Sequence, residues 1–309
     1  MQHQPVLLAE VLAFLTPKTG DVILDATVGL GGHSAALLQA AGSDALLIGL
    51  DADSENLSLA EKTLKNREGV TLIHANFRSL PDCLPPDHRL FNVILADIGL
   101  SSPHLDDPSR GFSFRTDTPL DMRFDRQAGM TAAAILASLD RVSLQELFQE
   151  YGELPRSRTL ADAIISRRRS DPVRTTADLR KVVEEVYGPR EALIVLPRVF
   201  QAVRIAVNDE LGALKTLLRV CPGLLAPGGR FAVISFHSLE DRLVKRAFRT
   251  LVTADRDPVT GAQVSEAPYE LLTPRSVRPD PKELAFNPRC RSASLRAIRL
   301  KEVYTTFRS

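Results

Sequence analysis

Asp25-Ala26-Thr27-Val28-Gly29-Leu30-Gly31-Gly32-His33-Ser34 follows the apolar run Val22-Ile23-Leu24 and leads directly into a helical pattern. Glycines in such a turn take positive φ without a Cβ penalty and let the backbone approach a ligand closely. Asp51 ends the next apolar run, 22 positions after Gly29, where a carboxylate accepts hydrogen bonds from the two vicinal hydroxyls of a ribose. The dinucleotide fingerprint GxGxxG demands glycine at 34, and this chain has Ser34 there. Asp25 is awkward beside a pyrophosphate. It suits the cationic end of S-adenosylmethionine, which carries an amino group and a sulfonium and no phosphate. Donor binding at Asp25, Gly29 and Asp51 is therefore the favoured reading, and a merely tight strand-to-helix turn is its alternative.

The elements around this turn set the fold class. Val22–Leu24, Leu46–Leu50, Val70–Ile73 and Val93–Ala96 are continuous apolar runs, as in strands covered on both faces. Helical patterns at Ser34–Ala41 and Ser54–Lys65 separate the first three. This is βαβ repetition, hence an α/β, Rossmann-like, doubly wound and mostly parallel sheet. The next comparable strand is Phe231–Ile234, introduced by Ala226-Pro227-Gly228-Gly229, read as a turn outside it. The intervening stretch far exceeds the few residues of an α/β loop, so it holds a helical domain of its own. In it Ser143–Glu146 reads as a capping box, as does Thr175–Asp178, and the last helix is expected to return to the sheet as a crossover. The expected division is residues 1–106 with 207–309 for the sheet domain and 107–206 for the insert. Residues 253–285, rich in proline, read as an extended excursion before the final apolar run, Leu295–Leu300.

Composition excludes several classes. The 309 residues are 25% charged and 44% hydrophobic, which argues against disorder, and no apolar stretch is long enough to span a membrane. The start lacks the basic and apolar regions of a secretion signal, so a cytoplasmic protein is expected. Three cysteines, Cys83, Cys221 and Cys290, supply neither a disulfide framework nor a zinc site, and no metal is expected. The net charge of +1 conceals a gradient: residues 1–100 carry 12 acids against 6 bases, residues 155–204 carry 6 against 11, and residues 271–309 carry 3 against 9. An acidic small-ligand module joined to two basic segments suits a polyanionic partner. The alternative is basic residues that only solvate helix faces.

Longer motifs carry a family resemblance. Besides the first turn they are His3-Gln-Pro-Val-Leu-Leu8, Asp97-Ile-Gly-Leu-Ser-Ser-Pro-His-Leu-Asp106, Arg110-Gly-Phe-Ser-Phe114, Pro119-Leu-Asp-Met-Arg123, Phe200-Gln-Ala-Val-Arg-Ile205, Asn208-Asp-Glu-Leu211, Ser235-Phe-His-Ser-Leu-Glu-Asp-Arg242 and Asn287-Pro-Arg-Cys-Arg-Ser292. In this order they resemble the bacterial ribosomal RNA small subunit methyltransferase H family over nearly the whole chain. The resemblance implies an S-adenosylmethionine-dependent methyltransferase fold with an inserted helical domain, and N4-methylation of a cytidine in the decoding centre of 16S rRNA. It places donor contacts on Gly31, Gly32, His33, Asp51, Phe77, Asp97 and His104. The chain departs from the family at His104, where glutamine is usual; at Leu196-Pro197-Arg198-Val199, usually His-Pro-Ala-Thr; and at Leu154, usually glutamate.

The exocyclic amine of cytosine is a weak nucleophile because its lone pair is delocalised into the ring. Acceptors aimed at its hydrogens favour the pyramidal form, and in-line alignment does the rest. Asp97, at the end of its strand, is either such an acceptor or a donor contact. The Asn/Asp-Pro-Pro-Tyr/Phe signature of amino-group methyltransferases is absent, so Ser101, Ser102 and Asp121 become candidates for holding the base. Phe112 or Phe114 either stacks on it or anchors a loop. His237 either orients the base or sits in a helix start capped by Ser238 and Glu240, with Asp241 paired to Arg242 or Lys245. No Gly-x-Ser-x-Gly elbow supports a hydrolase. Candidate RNA contacts are Arg110, Phe112, Asp121, Arg167, Arg168, Arg204, Arg289 and Arg291, with the last two on one side of an extended segment. With no Trp and four Tyr, phosphate and shape recognition of folded RNA is favoured over stacking. A noncatalytic RNA-binding assembly factor that keeps a donor pocket is the alternative function, and a homodimer is compatible with the chain.

Overall fold

Alternation along five parallel strands builds two cores from one sheet. Leu24, Ile94, Ala96, Phe231 and Val233 join one buried cluster, whereas their chain neighbours Ile23, Val93, Leu95, Ala232 and Ile234 join another. A strand covered on both faces has to be apolar at every position, which is why these strands read as continuous runs.

The computed structural model describes residues 5–85, 90–254, 260 and 263–302. His3, Gln4 and Pro258, all part of the sequence reading, lie outside the described residues. The chain forms two compact units, residues 1–99 with 212–309 and residues 100–211. Residues 100–106 and 207–211 thus group with the helical unit rather than with the sheet.

The sheet unit begins with α1 (Leu8–Leu15), which the sequence reading left out, then β1 (Val22–Asp25), α2 (Gly32–Ala41), β2 (Leu46–Asp51), α3 (Ser54–Leu64), β3 (Val70–His74), the single turn α4 (Leu80–Cys83) and β4 (Phe91–Asp97). The helical unit contains α5 (Ser102–Asp106), α6 (Ala132–Ser138), α7 (Arg141–Glu150), α8 (Ser157–Arg167), α9 (Thr176–Tyr187) and α10 (Pro189–Asn208). Helix α11 (Glu210–Val220) then leads to β5 (Leu225–Ser235), α12 (Ser238–Leu251), β6 (Tyr269–Leu271), α13 (Pro281–Phe286) and β7 (Ser294–Leu300). The sheet order is β3-β2-β1-β4-β5-β7-β6. Strands β1 to β5 are parallel, and β7 runs antiparallel to both β5 and β6.

Leu214, Leu217 and Leu218 of α11, with Val244 and Phe248 of α12, cover one face of the sheet. Val11 and Leu15 of α1 and Leu37 and Leu38 of α2 cover the other. The helical unit has its own core, in which Leu144, Leu147 and Phe148 of α7 pack with Leu179, Val182 and Val183 of α9 and Val199, Phe200 and Val203 of α10.

Three local expectations are corrected. Ala226-Pro227-Gly228-Gly229 lies inside β5: Phe91 pairs with Leu225 and Val93 with Arg230, so β5 bulges by three extra residues there, and Gly228 takes φ 77°. Helix α7 is capped by Asp140, whose carboxylate accepts the Ser143 N–H, so Ser143 lies within its first turn. The capping box at Thr175 and Asp178 stands as read. The proline-rich stretch contains β6 and α13 in place of a wholly extended path.

Phe231 is fully buried on β5 and meets Phe248 edge-on at 5.5 Å. Replacing Phe231 with Ala should lower the unfolding free energy by about 3–5 kcal/mol. Urea unfolding followed by far-UV circular dichroism measures it.

Candidate active site

The glycine turn is held open by its own backbone and by one carboxylate. Gly29 and Gly31 take φ 55° and 82°, and Gly31 is the cap from which α2 starts. Asp51 Oδ2 accepts the Gly29 N–H at 2.8 Å, while Oδ1 accepts the Asp53 N–H at 2.8 Å. A residue read as a ribose contact therefore also fixes the turn. The Asn56 side-chain amide also donates to Oδ1, at 3.4 Å, so this carboxylate is a structural acceptor for the turn as well as the ribose contact read from its position. At Gly32 an added Cβ would come within 2.6 Å of Pro5 Cγ, so only glycine fits beneath the N-terminal segment.

Asp25, His33 and Asp97 cluster at the carboxyl ends of adjacent strands, the first two buried and Asp97 half-buried. Asp25 is 1% exposed, accepting the Ser34 hydroxyl at 2.6 Å and the Thr27 N–H at 3.1 Å. His33 Nε2 lies 2.9 Å from the Val6 carbonyl oxygen. A carbonyl only accepts, so Nε2 carries a proton and Nδ1 is the nitrogen turned to Asp97 Oδ2, 3.5 Å away. Thr27 Oγ1 accepts the Asp97 N–H at 2.6 Å. Asp97 Oδ1 is buried and has no hydrogen-bond partner.

Burial raises the Asp97 carboxyl to a pKa of about 7, with the Glu240 carboxylate adding to the effect. Burial likewise raises Asp25 to about 6 against the lowering effect of its bond from Ser34. The His33 imidazolium is disfavoured by the same desolvation. Carboxyls whose pKa values are raised towards neutrality, one with an orphaned oxygen, suit a cationic ligand, which would favour their ionised form. They do not suit a pyrophosphate, and this chemistry fits the amino and sulfonium groups of S-adenosylmethionine. Thr27 and Val6 were not singled out from sequence, and Glu240 was read as a cap of α12 only, which it is. Thr27 and Val6 stood inside quoted motifs, but nothing local marks a carbonyl that will set a distant tautomer.

Glu240, 1% exposed, accepts the Phe236 N–H at 2.8 Å and the His237 N–H at 3.2 Å through Oε2. His237 Nδ1 takes the Glu240 N–H at 3.4 Å, so His237, not Ser238, caps α12. Asp241 pairs with Arg296 at 2.8 Å across to β7, in place of Arg242 or Lys245. Phe77, in the 3₁₀ turn Phe77–Ser79, is half-buried against the core that contains Leu50 and Leu80.

In the helical unit, Ser101 and Ser102 stand at the start of α5, and the Ser101 N–H donates to His104 Nδ1 at 3.2 Å. His104 is 4% exposed, with ring centroids 5.2 Å from Phe112 and 5.3 Å from Phe124. With Nδ1 accepting, Nε2 is the nitrogen left to donate, as the usual glutamine amide would. Phe112 is buried in this aromatic cluster, and Phe114 packs edge-on against Phe200 at 5.4 Å. Both are core anchors, which corrects the reading of Phe112 as an RNA contact. Arg110 is likewise no phosphate contact: it is 1% exposed, and its guanidinium donates to the Arg123 and Phe124 carbonyls at 3.0 Å each.

Other cations are also engaged within the fold. Arg123 holds Asp121 at 2.8 Å, Arg204 holds Glu210 at 2.7 Å, and Arg167 bridges Asp171 and Glu185 at 2.8 and 2.5 Å. Arg168 donates to the Leu136 and Leu139 carbonyls. Arg169 and Arg174 remain exposed in this unit. Arg289 and Arg291 are exposed too, but they lie in the 3₁₀ turn Pro288–Ser292, so the expected extended alternation does not hold. Two departures from the family pattern prove to be one. Arg198 donates from Nε to the Gly152 carbonyl at 2.9 Å and from its other nitrogen to the Glu153 carbonyl, and Leu154 joins Leu196 and Val199 in the core.

Arg110→Ala should lower the unfolding free energy by about 3 kcal/mol, since two charge-assisted bonds from a buried guanidinium to backbone carbonyls are lost. RNA affinity per folded molecule should not change. Chemical denaturation and filter binding on one preparation separate the two; a phosphate contact would give the reverse.

Comparison with known proteins agrees with this geometry. Residues 1–301 match the model of the MraW methylase family. The ribosomal RNA small subunit methyltransferase H of Thermomicrobium roseum is 46% identical over 303 residues, covering 96% of this chain and 92% of that protein. Its namesakes from Syntrophotalea carbinolica and Sorangium cellulosum are each 44% identical, covering 96% of this chain and 98% and 90% of their own lengths. With a matching family over almost its whole length and a doubly wound sheet whose strand ends carry a donor-type carboxylate cluster, the chain belongs to the MraW methylase family and has a methyltransferase fold.

Proposed function

We propose that the chain transfers the methyl group of S-adenosylmethionine to the exocyclic N4 of a cytidine in the decoding centre, the P-site region, of 16S rRNA. Relatives that share up to 46% of its residues are small-subunit rRNA methyltransferases, and this chain acts in the same class. The observation that carries the reading is Asp97, whose buried Oδ1 has no partner in the protein at the strand end where ligands of parallel sheets bind.

S-adenosylmethionine supplies an electrophilic methyl on a cationic sulfur and leaves as a neutral thioether. The turn from Gly29 to Gly32 admits it closely, Asp51 takes its ribose, and Asp25 offsets its positive charge. Asp97 Oδ1 accepts a hydrogen from the cytosine amine, which localises the nitrogen lone pair. As the N–CH3 bond forms, the N–H electrons stay on nitrogen and the proton passes to Asp97. Once the sulfonium has become a neutral thioether, the carboxyl regains the raised pKa of the donor-free site, about 7, and holds that proton better than an exposed aspartate. His33, with its Nε2–H given to the Val6 carbonyl, turns an unprotonated Nδ1 to Asp97 Oδ2 at 3.5 Å, which favours the protonated carboxyl formed by the transfer. Ser101 and Ser102 are assigned to the base. Arg169, Arg174, Arg289 and Arg291 are assigned to RNA phosphates, the exposed cations in two basic segments.

Small subunits that lack the modification, incubated with tritiated donor and digested to nucleosides, should yield labelled N4-methylcytidine. Asp97→Ala should slow the transfer by roughly 10²- to 10⁴-fold, the span of a general acid–base contribution. Label on a ring carbon or a ribose would contradict the reading. Donor binding without transfer to any RNA would favour an assembly factor instead.

A further inference from the structure

The segment from α13 to the following 3₁₀ turn faces the core on one side only. Glu283 accepts the Leu7 N–H at 2.7 Å, Leu284 packs on the core beneath, and Cys290 is 0% exposed. The other side carries Lys282, Phe286, Arg289 and Arg291, all exposed. Phe286 is 85% exposed, and no other phenylalanine among the described residues is classed as exposed. A phenyl ring left in water at the end of a helix forgoes the burial that places this residue type in cores.

Two of the cations on this side, Lys282 and Arg291, enter no ion pair among the described residues. The acids between residues 271 and 302 are Asp280, Glu283 and Glu302. Asp280 caps α13 by accepting the Glu283 N–H at 2.7 Å, Glu283 holds Leu7, and Glu302 holds Arg299 at 2.6 Å. Arg275 likewise enters no ion pair among the described residues. Lys282 precedes Phe286 by one helical turn of α13, and Arg291 follows it in the 3₁₀ turn Pro288–Ser292. An acidic protein surface would answer the cations but leaves the flat ring unexplained. Unpaired nucleic acid offers both a π-face and phosphates.

We propose that Phe286, flanked by Lys282 and Arg291, is a stacking platform for one unpaired RNA base, with the flanking phosphates on the two cations. This rests on the reading of the chain as an RNA methyltransferase, and it adds the stacking of one base to the phosphate and shape recognition expected from the sequence. The ring serves substrate capture rather than methyl transfer.

The test is fluorescence anisotropy with a short unstructured RNA strand and with an RNA duplex of equal length. Stacking on an aromatic side chain is worth roughly 5- to 150-fold in affinity per base. Phe286→Ala should therefore weaken single-strand binding by about tenfold and leave duplex binding unchanged. Phe286→Trp should restore it, whereas Arg291→Glu should weaken both. Because the ring is exposed, Phe286→Ala should keep its melting temperature and its affinity for S-adenosylmethionine. Equal affinity of Phe286→Ala and wild type for the single strand, or equal loss on strand and duplex, would overturn the proposal. The readout needs no methyl transfer: wild type inactive on small subunits would count against the proposed reaction, and the platform would still be decided by the two RNAs.

Discussion

Asp25 and Asp97 end adjacent parallel strands, β1 and β4, and are held close to His33 with no lysine or arginine among the charges that act on them. Withdrawing these carboxyls from water disfavours their ionised form, and the fold accepts that cost at the carboxyl ends of β1 and β4. The arrangement has a specific electrostatic meaning. An anionic ligand would meet carboxyls and be repelled, whereas a cationic one offsets their charge and leaves Asp97 Oδ1 to accept an N–H from the acceptor base. The surrounding contacts serve this cluster: Asp51 fixes the glycine turn that starts α2, Thr27 holds the Asp97 backbone, and the Val6 carbonyl sets the tautomer of His33.

Much of the sheet was legible because its physics is local. Strands covered on both faces must be apolar at each position, so Val22–Leu24 and Val93–Ala96 stood out, and glycines followed by a helix pattern marked the turn. The bulge in β5 was not legible. Pro227 and the two glycines argue against a strand, but the ladder with β4 resumes at Arg230 after skipping residues, a tolerance set by the partner strand rather than by the segment itself. The cap of α7 was misplaced by three residues because Asp140 and Ser143 are both good caps, and only backbone geometry chooses between them.

The candidate site divides along the same line. Asp25, Asp51 and Asp97 could be found from their position after apolar runs. Arg110 and Phe112 could not be judged, since the carbonyls of Arg123 and Phe124 and the ring of His104 reach them only after the chain folds back. Arginines in a basic segment look alike in sequence, yet Arg167, Arg168 and Arg204 are engaged by the protein's own acceptors while Arg169 and Arg174 are exposed. The departures at Leu154 and at Leu196–Val199 looked independent and turned out to share one contact through Arg198.

If a protonated Asp97 is what awaits the donor, then binding a cation must expel that proton. Isothermal titration of S-adenosylmethionine in buffers of different ionisation enthalpy measures this directly. With a free-state carboxyl near pKa 7 that ionises in the complex, affinity should rise as pH increases from about 5.5 towards 7 and level off above it, with net proton release below that point. Asp97→Asn should abolish the release attributable to this group. An affinity independent of pH across that range, with no proton released by the wild-type protein, would contradict the account.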